Sequence, residues 1–397
     1  MTSNIDNRKI KVAHFIWWIP HYRVPIFRRL SQNSYIDFEV CAGDNTDIPG
    51  GAKVASANEV GNIEGVNWRH LKSRRFKGPL FKDFEWQPEA VKIVLKEDID
   101  IVISLGYLSL SNILVRIICK LRGIPVIEWS QGVKCHEKGI RWFVRKLYFK
   151  FASAFLLYGD FARVFFVSHG FSNHQTFVVY NSLNHQEQVE IREQISQSDI
   201  DGLRQKFGVH NPDTRLVVHS GRLEKQKKIP VLLKAIRLLN DEGCIVNLIL
   251  IGDGRERENL EVLAREIGVE DQVFFYGSCY EEKETGLVFS STDICVAPGA
   301  VGLVAMHSLV YGTAILTCKN DTGLHGPEIE TIKEGCTGGY FKEDDARDLA
   351  NKMKKMLYPV SCKHKMAKAC MDVIDNYYNP KYQERVIIQA INYVLPE

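Results

Sequence analysis

Residues 293–317, DICVAPGAVGLVAMHSLVYGTAILT, restrict the fold more than any other stretch of the chain. Ile294, Cys295, Val296 and Ala297 read as a short buried strand that Pro298 and Gly299 terminate. Gly302 then opens an apolar helix ending near Gly312, and residues 314–317 are β-prone again. A strand, a tight loop and a helix in that order point the helix N-terminus into the crevice at the strand's carboxyl end. Its unpaired N–H groups and fractional positive charge suit a diphosphate there. An ordinary βαβ unit without a ligand has the same pattern, so the rest of the chain must decide.

The rest of the chain repeats the alternation. A strand, KVAHFIWWI, ends at Pro20 and leads through HYR into a helix with Pro25 in its first turn. Strand FEVCAG follows, then a helix near 88–97, a strand over 100–106, a helix over 109–121 and a strand over 125–132. A helix over 139–151 comes next, and AFLLYG, FFVSHG and FVVYN close the first half. Residues 182–208 turn polar and read as a hinge. The second half starts with a strand from Arg215, followed by a helix near 229–240, a strand over 247–254, a helix over 256–267 and a strand over 272–277. Strands and helices at this spacing predict mostly parallel sheets, and two such halves predict a ligand site between them. The expected division is a first domain over 1–182, a linker over 183–208, a second domain over 209–376 and a terminal helix over 377–397.

Totals matter mainly for what they exclude. A chain of 397 residues suits two domains, and 45% apolar with 25% charged residues is the mixture of a soluble globular protein. No run approaches the roughly 18 uncharged apolar residues of a membrane span. The opening MTSNIDNRKIK lacks the apolar core of a secretory signal, so a cytoplasmic protein is expected. The 10 cysteines form no C-x-x-C pair, so neither zinc nor a disulfide framework is expected. A net charge of +3 gives no argument for nucleic acid.

Two basic stretches stand out. Residues 70–82, HLKSRRFKGPLFK, read as a solvated loop. In residues 139–151 the side chains of Trp142, Phe143, Leu147 and Phe151 can share one helical face, with Arg141, Arg145, Lys146 and Lys150 elsewhere. Contact with an anionic membrane at the inner face of the cell membrane and a plain core-facing helix both fit this pattern.

Six segments of the second half, SGRLEKQKK, LILIGDG, VFFYGS, DICVAP, GLVAMHSLVYGTAIL and PEIETIKEGCTGGYF, stand in a distinctive order over about 120 residues. In that order the chain resembles the retaining nucleotide-sugar glycosyltransferases of family four. The resemblance implies an α/β GT-B fold, in which two Rossmann-like doubly wound domains face an interdomain cleft. It makes Arg222 and Lys227 the cations that hold the donor diphosphate and stabilise it as it leaves. Lys228 stands where the family has glycine, so either lysine fits the phosphate. Gly221, Gly252, Gly254 and Gly277 would shape the loops around the donor, with Gly299 and the amides after Val301, those of Gly302, Leu303 and Val304, as the phosphate cradle. Glu328 matches a family position at a helix start.

One departure is chemical. The family carries two Glu residues separated by seven others, and those places here are Gly299 and His307. His307 would then hold the ribose hydroxyls through a ring nitrogen. The pattern PG-x-VGL-x-x-x-HS resembles a branch among bacterial surface-polysaccharide transferases.

On the acceptor side His21, Tyr22, Arg23, Tyr107, Gln131 and Gly132 lie at expected strand ends. The resemblance implies a retaining, metal-independent hexosyltransferase with no cofactor. It would move a sugar from a UDP-linked donor to a saccharide or lipid-linked acceptor in capsule, lipopolysaccharide or exopolysaccharide synthesis. A sugar-nucleotide epimerase on the same fold is an alternative. So is a non-catalytic nucleotide-sugar-binding partner of another transferase, which the missing first Glu suggests.

Overall fold

The computed structural model describes residues 8–43, 63–76, 84–105, 109–133, 135–320, 322–357 and 363–395. It divides into two compact units, residues 1–184 with 380–397, and residues 185–379.

The first unit begins with β1 (Ile10–Ile16), α1 (Val24–Ser31), β2 (Ile36–Gly43) and β3 (Trp68–Leu71). A small hairpin, β4 (Arg74–Phe76) and β5 (Phe84–Trp86), precedes α2 (Pro88–Lys96), β6 (Ile101–Leu105) and α3 (Leu110–Arg122). Then come β7 (Val126–Ser130), α4 (Gly139–Phe149), β8 (Ala154–Leu157), α5 (Asp160–Ser168) and β9 (Thr176–Val178). Seven strands form one sheet in the order β3-β2-β1-β6-β7-β8-β9, with every pairing parallel. Because both faces are covered, its middle strands are buried on both sides: β7 and β8 are buried at every position, Glu128 and Ser130 of β7 included. Local signals set the helix ends, as in α3, where the Ser109 hydroxyl accepts from the Asn112 amide and Gly123 closes the last turn at φ 71°.

In the second unit the chain runs through α6 (His185–Gln194), α7 (Gln197–Lys206), β10 (Arg215–Ser220), α8 (Ile229–Asp241), β11 (Val246–Ile251) and α9 (Arg257–Glu266). It continues with β12 (Val273–Gly277), α10 (Glu282–Ser291), β13 (Ile294–Ala297), α11 (Val304–Val310), β14 (Ile315–Lys319) and β15 (Gly338–Lys342). Helices α12 (Ala346–Leu357) and α13 (Lys363–Tyr377) complete it. Its six-stranded parallel sheet has the order β12-β11-β10-β13-β14-β15, so the predicted strand-loop-helix unit at 293–317 lies beside the central β10. The last helix, α14 (Pro380–Val394), belongs to the first unit. There Val386, Ile387, Ala390 and Ile391 are buried in its core and Arg29 pairs with Glu384 at 2.6 Å.

The segment expected as a linker over 183–208 is instead two helices, α6 and α7, that sit against α10. Sequence periodicity misses them because polar contacts hold them in place. Arg192 donates to the Val310 carbonyl and pairs with Asp375, Gln188 donates to Glu282, and Arg204 donates to the Ser291 carbonyl. A reciprocal cap between Ser196 and Asp199 starts α7.

Helix α4 also differs from its expected single apolar face. Trp142, Tyr148 and Phe149 point into an aromatic core, with Trp142 meeting Phe165 edge-on at 4.8 Å, while Phe143, Leu147 and Phe151 are exposed.

The two units share a buried detail. Each first strand carries a fully buried histidine whose Nδ1–H donates to a carbonyl of the neighbouring strand, His14 to Ile103 at 3.1 Å and His219 to Val296 at 2.8 Å. Burial is the main cause that pulls their pKa values down, to about 3 for His14 and about 4 for His219. A histidine held neutral in the fold contributes stability that is complete above its unfolded value near 6.5 and is lost as pH falls toward the folded value. Urea unfolding midpoints are therefore expected to fall from pH 6.5 toward pH 4. His219→Asn, which keeps a donor for Val296, is expected to flatten that slope, and an unchanged slope contradicts the assignment.

Candidate functional site

The carboxyl ends of β10, β11 and β13 bring together three loops whose backbones lie against one another. After β10 the chain passes Gly221 and Arg222, makes a 3₁₀ turn at Lys225–Lys227 and enters α8 through Lys228. After β11, Gly252 takes φ 133° and packs so closely that a Cβ there would sit 2.0 Å from the Gly221 carbonyl oxygen. A Cβ on Gly299, after β13, would sit 2.1 Å from the Gln226 carbonyl oxygen. The loops are stitched at the same points. The Ala300 amide donates to the Gln226 carbonyl at 3.1 Å, and the Lys227 ammonium donates to the Ala300 carbonyl at 2.7 Å.

Gly254 packs against the Leu223 backbone and Gly277 receives the Gly252 amide, so these glycines shape the loops rather than offer side chains. Gly299 is glycine for the same reason. The expected carboxylate slot is filled by the backbone of the Lys225–Lys227 turn, which leaves no space for a side chain at 299.

This packing fixes two cations. Arg222 is exposed and forms no ion pair with a described residue, while Lys227 is half-buried and, among the described residues, its ammonium donates only to the Ala300 carbonyl. Burial, and then the neighbouring Arg222 charge, pull the Lys227 ammonium below its usual pKa. Two cations near each other with no carboxylate between them favour an anion. Lys228 is different: its ammonium pairs with Glu343 at 2.6 Å and Asp344 at 2.7 Å, and its backbone is left-handed at φ 52°. That backbone explains why glycine suits position 228, and it leaves Lys227 as the lysine without a carboxylate.

Residues 301–304 form the third wall. The Val301 amide donates to His325 Nδ1 at 3.2 Å, and the Gly326 amide donates to the Val301 carbonyl at 2.7 Å. Since His325 Nδ1 accepts, its Nε2–H must donate, and it meets the Cys318 carbonyl at 3.0 Å. Burial lowers the His325 pKa, which keeps it in this neutral tautomer. Gly302, Leu303 and Val304 follow at the start of α11, where first-turn amides have no acceptor inside the helix. His307 is on the next turn, with Nε2 at 2.8 Å from Glu282, which also accepts from Tyr311 and Gln188. Glu328 is buried in the turn Pro327–Thr331, its carboxylate curled toward Gly326.

His325, His219 and Glu282 are absent from the sequence-derived site. No motif marks them, and only the fold brings His325 to residue 301.

In the first unit His21, Tyr22 and Arg23 form a 3₁₀ turn after β1, with His21 exposed, Tyr22 half-buried and Arg23 buried. After β7, Gln131 is exposed and Gly132 buried at φ 61°, its carbonyl accepting from Arg145. Tyr107 lies outside the described residues. Among the described residues no group of three or more His, Cys, Asp or Glu side chains is placed to hold a metal ion.

The packing at Gly299 generates a test. Gly299→Ala is expected to cost about 1–3 kcal/mol of stability from overpacking against the Lys225–Lys227 turn, read by chemical unfolding. A variant as stable as the parent contradicts that geometry.

Comparison with known proteins agrees with this fold. The sequence model of glycosyl transferases group 1 matches residues 202–370. The lipopolysaccharide core biosynthesis glycosyltransferase LpsE of Rhizobium meliloti is 27% identical over 158 residues, 39% of this chain and 43% of that one. The alpha-monoglucosyldiacylglycerol synthase of Streptococcus pneumoniae is 28% identical over 132 residues, 32% of this chain and 30% of that one. The chain thus spans less than half the length of these curated relatives. Among solved structures, Anabaena HepE in complex with UDP aligns with 96% of this chain and 99% of its own at a TM-score of 0.71 and 16% identity. A glycosyltransferase from Rickettsia africae aligns with 98% of this chain and 100% of its own at a TM-score of 0.73 and 12% identity. Residues 202–370 thus match the glycosyl transferases group 1 model, in a chain whose two Rossmann-like parallel sheets have the GT-B fold.

Proposed function

We propose that this protein transfers a sugar from a UDP-linked donor to a hydroxyl of a saccharide or lipid-linked acceptor, with retention of configuration. The observation that carries the reading is the Arg222 and Lys227 pair, two cations without a carboxylate partner among the described residues, next to the Val301–Val304 amides. The donor diphosphate binds there, and its charge is offset most as the bond to the sugar breaks. In a front-face reaction the departing phosphate oxygen takes the acceptor's proton, so no side chain is needed at 299. We also read the transfer as metal-independent, with the two cations in the electrostatic role a divalent ion has elsewhere.

The names of the relatives, a lipopolysaccharide core transferase and a glycolipid synthase, support a surface-polysaccharide or glycolipid acceptor. The outward side of α4 supports a membrane-bound acceptor. Ile140 is 83% and Phe143 59% exposed, Val144, Leu147 and Phe151 are also exposed, and Lys120 lies over the Phe151 ring at 5.2 Å. Such a side immerses in a lipid interface while neighbouring lysines meet anionic headgroups. No helix among the described residues is long and apolar enough to cross a membrane. A second reading, a nucleotide-sugar-binding partner without transferase activity, draws on Gly299, where the family's carboxylate is missing.

A panel of nucleotide sugars with detection of released UDP or GDP separates the two. Release is expected with a UDP-sugar and is unaffected by EDTA; tight donor binding without release favours the second reading. Arg222→Ala and Lys227→Ala are each expected to lower turnover by roughly a hundredfold or more, and Lys228→Ala to change it by less than about tenfold. Equal losses for Lys227 and Lys228 contradict the assignment. The protein is expected to sediment with anionic vesicles at low salt and to be released at high salt, while Phe143→Ser with Leu147→Ser weakens binding. Retention by the double variant counts against the α4 side.

A further inference from the structure

The carboxyl edge of the first unit's sheet contains a buried arginine for which no described residue supplies a counter-charge. Arg23 is 6% exposed and forms no ion pair among the described residues; its guanidinium lies over the rings of Trp129 at 4.8 Å and Tyr158 at 5.4 Å. A buried charge is normally paired, because removing it from water without a partner is costly. Stacking on aromatic faces recovers only a small part of that cost.

The polar atoms around it are incomplete in the same direction. Arg23 Nη1, Trp129 Nε1 and the Tyr158 hydroxyl are buried without a hydrogen-bond partner. The first two are donors only and the third donates readily. His14, whose ring centroid is 5.5 Å from that of Trp129, also has an unpartnered buried atom, Nε2. Because its Nδ1–H is committed to the Ile103 carbonyl, Nε2 is an acceptor. The nearby Arg23 charge, second to burial, also keeps His14 neutral. One cluster therefore has three donors lacking an acceptor, one acceptor lacking a donor, and a net positive charge.

A trapped water accepts two hydrogen bonds and leaves the charge unopposed. An oxyanion bearing a hydroxyl satisfies the donors, the acceptor and the charge. Arg23 keeps a small open surface, and His21 on the same turn is exposed, so the cluster lies at the solvent end of the sheet.

We propose that Arg23, Trp129 and Tyr158 bind an oxyanion of the acceptor, a carboxylate or phosphate group, while His14 Nε2 accepts from a hydroxyl beside it. The acceptor substrate is then an acidic sugar or a sugar phosphate rather than a neutral saccharide. This rests on the transferase reading for the word acceptor, but the site is measurable without turnover.

Calorimetric titration of the whole protein with inorganic phosphate, glucuronate and glucose tests it, with tryptophan fluorescence followed in parallel. Binding is expected for phosphate or glucuronate and not for glucose, and the stronger of the two identifies the anion. Arg23→Met is expected to weaken that binding by roughly tenfold to a hundredfold, and Tyr158→Phe by less. Trp129→Phe is expected to abolish the fluorescence change. Tyr158→Phe removes one oxygen, so it serves where Arg23→Met fails to fold. UDP titrated alongside separates the two readings. A protein that takes up UDP but neither anion refutes the oxyanion site and keeps the donor site. One that takes up the anion but not UDP supports the oxyanion site and refutes the donor site. Anion binding equally strong in Arg23→Met also overturns the proposal.

Discussion

The second unit's site depends on one close backbone approach. Gly299 lies against the Gln226 carbonyl with no space for a side chain, and the Ala300 amide bonds that same carbonyl. This contact places the loop after β13 against the turn after β10 and lets the Lys227 ammonium reach the Ala300 carbonyl. The position of Lys227 beside Arg222 follows, and with it the local excess of positive charge. The other side of the loop is held by His325, whose neutral ring bridges the Val301 amide and the Cys318 carbonyl. Side chains therefore position the amides at residues 301–304, and the short helix α11 continues from a loop already fixed at both flanks.

The fold was legible wherever burial repeats with a period. Strands such as β11, apolar at nearly every position and buried throughout, can only be interior strands of a two-sided sheet, and the helices between them follow from amphipathic spacing. Helices α6 and α7 were illegible because Gln188, Arg192 and Arg204 hold them through polar contacts to distant residues, which leave no period to read. In α4 the helix was legible but its orientation was not, since Trp142 and Phe143 are equally apolar and only packing separates them.

The site was legible through its cations and glycines and not through its histidines. Arg222 and the lysine pair are marked by a motif, yet the choice between Lys227 and Lys228 needed the left-handed backbone at 228 and the two carboxylates beside it. His14 and His219 look like interruptions in apolar strands. Each is a single donor to the next strand, and each leaves an acceptor atom inside its unit. In the first unit that atom belongs to a group with Arg23 and Trp129, residues 106 positions apart by number (129 − 23) and brought together by the β1-β6-β7 order of the sheet.

The place of α14 in the chain has a consequence for biosynthesis. Its buried residues Val386, Ile387, Ala390 and Ile391 complete a core whose other members lie before residue 180, so the whole second unit is spliced into the first. As the chain leaves the ribosome, the early sheet must wait with one flank uncovered while some 195 intervening residues (185–379) emerge and collapse on their own. The nascent first half is therefore the part that most needs a chaperone's cover.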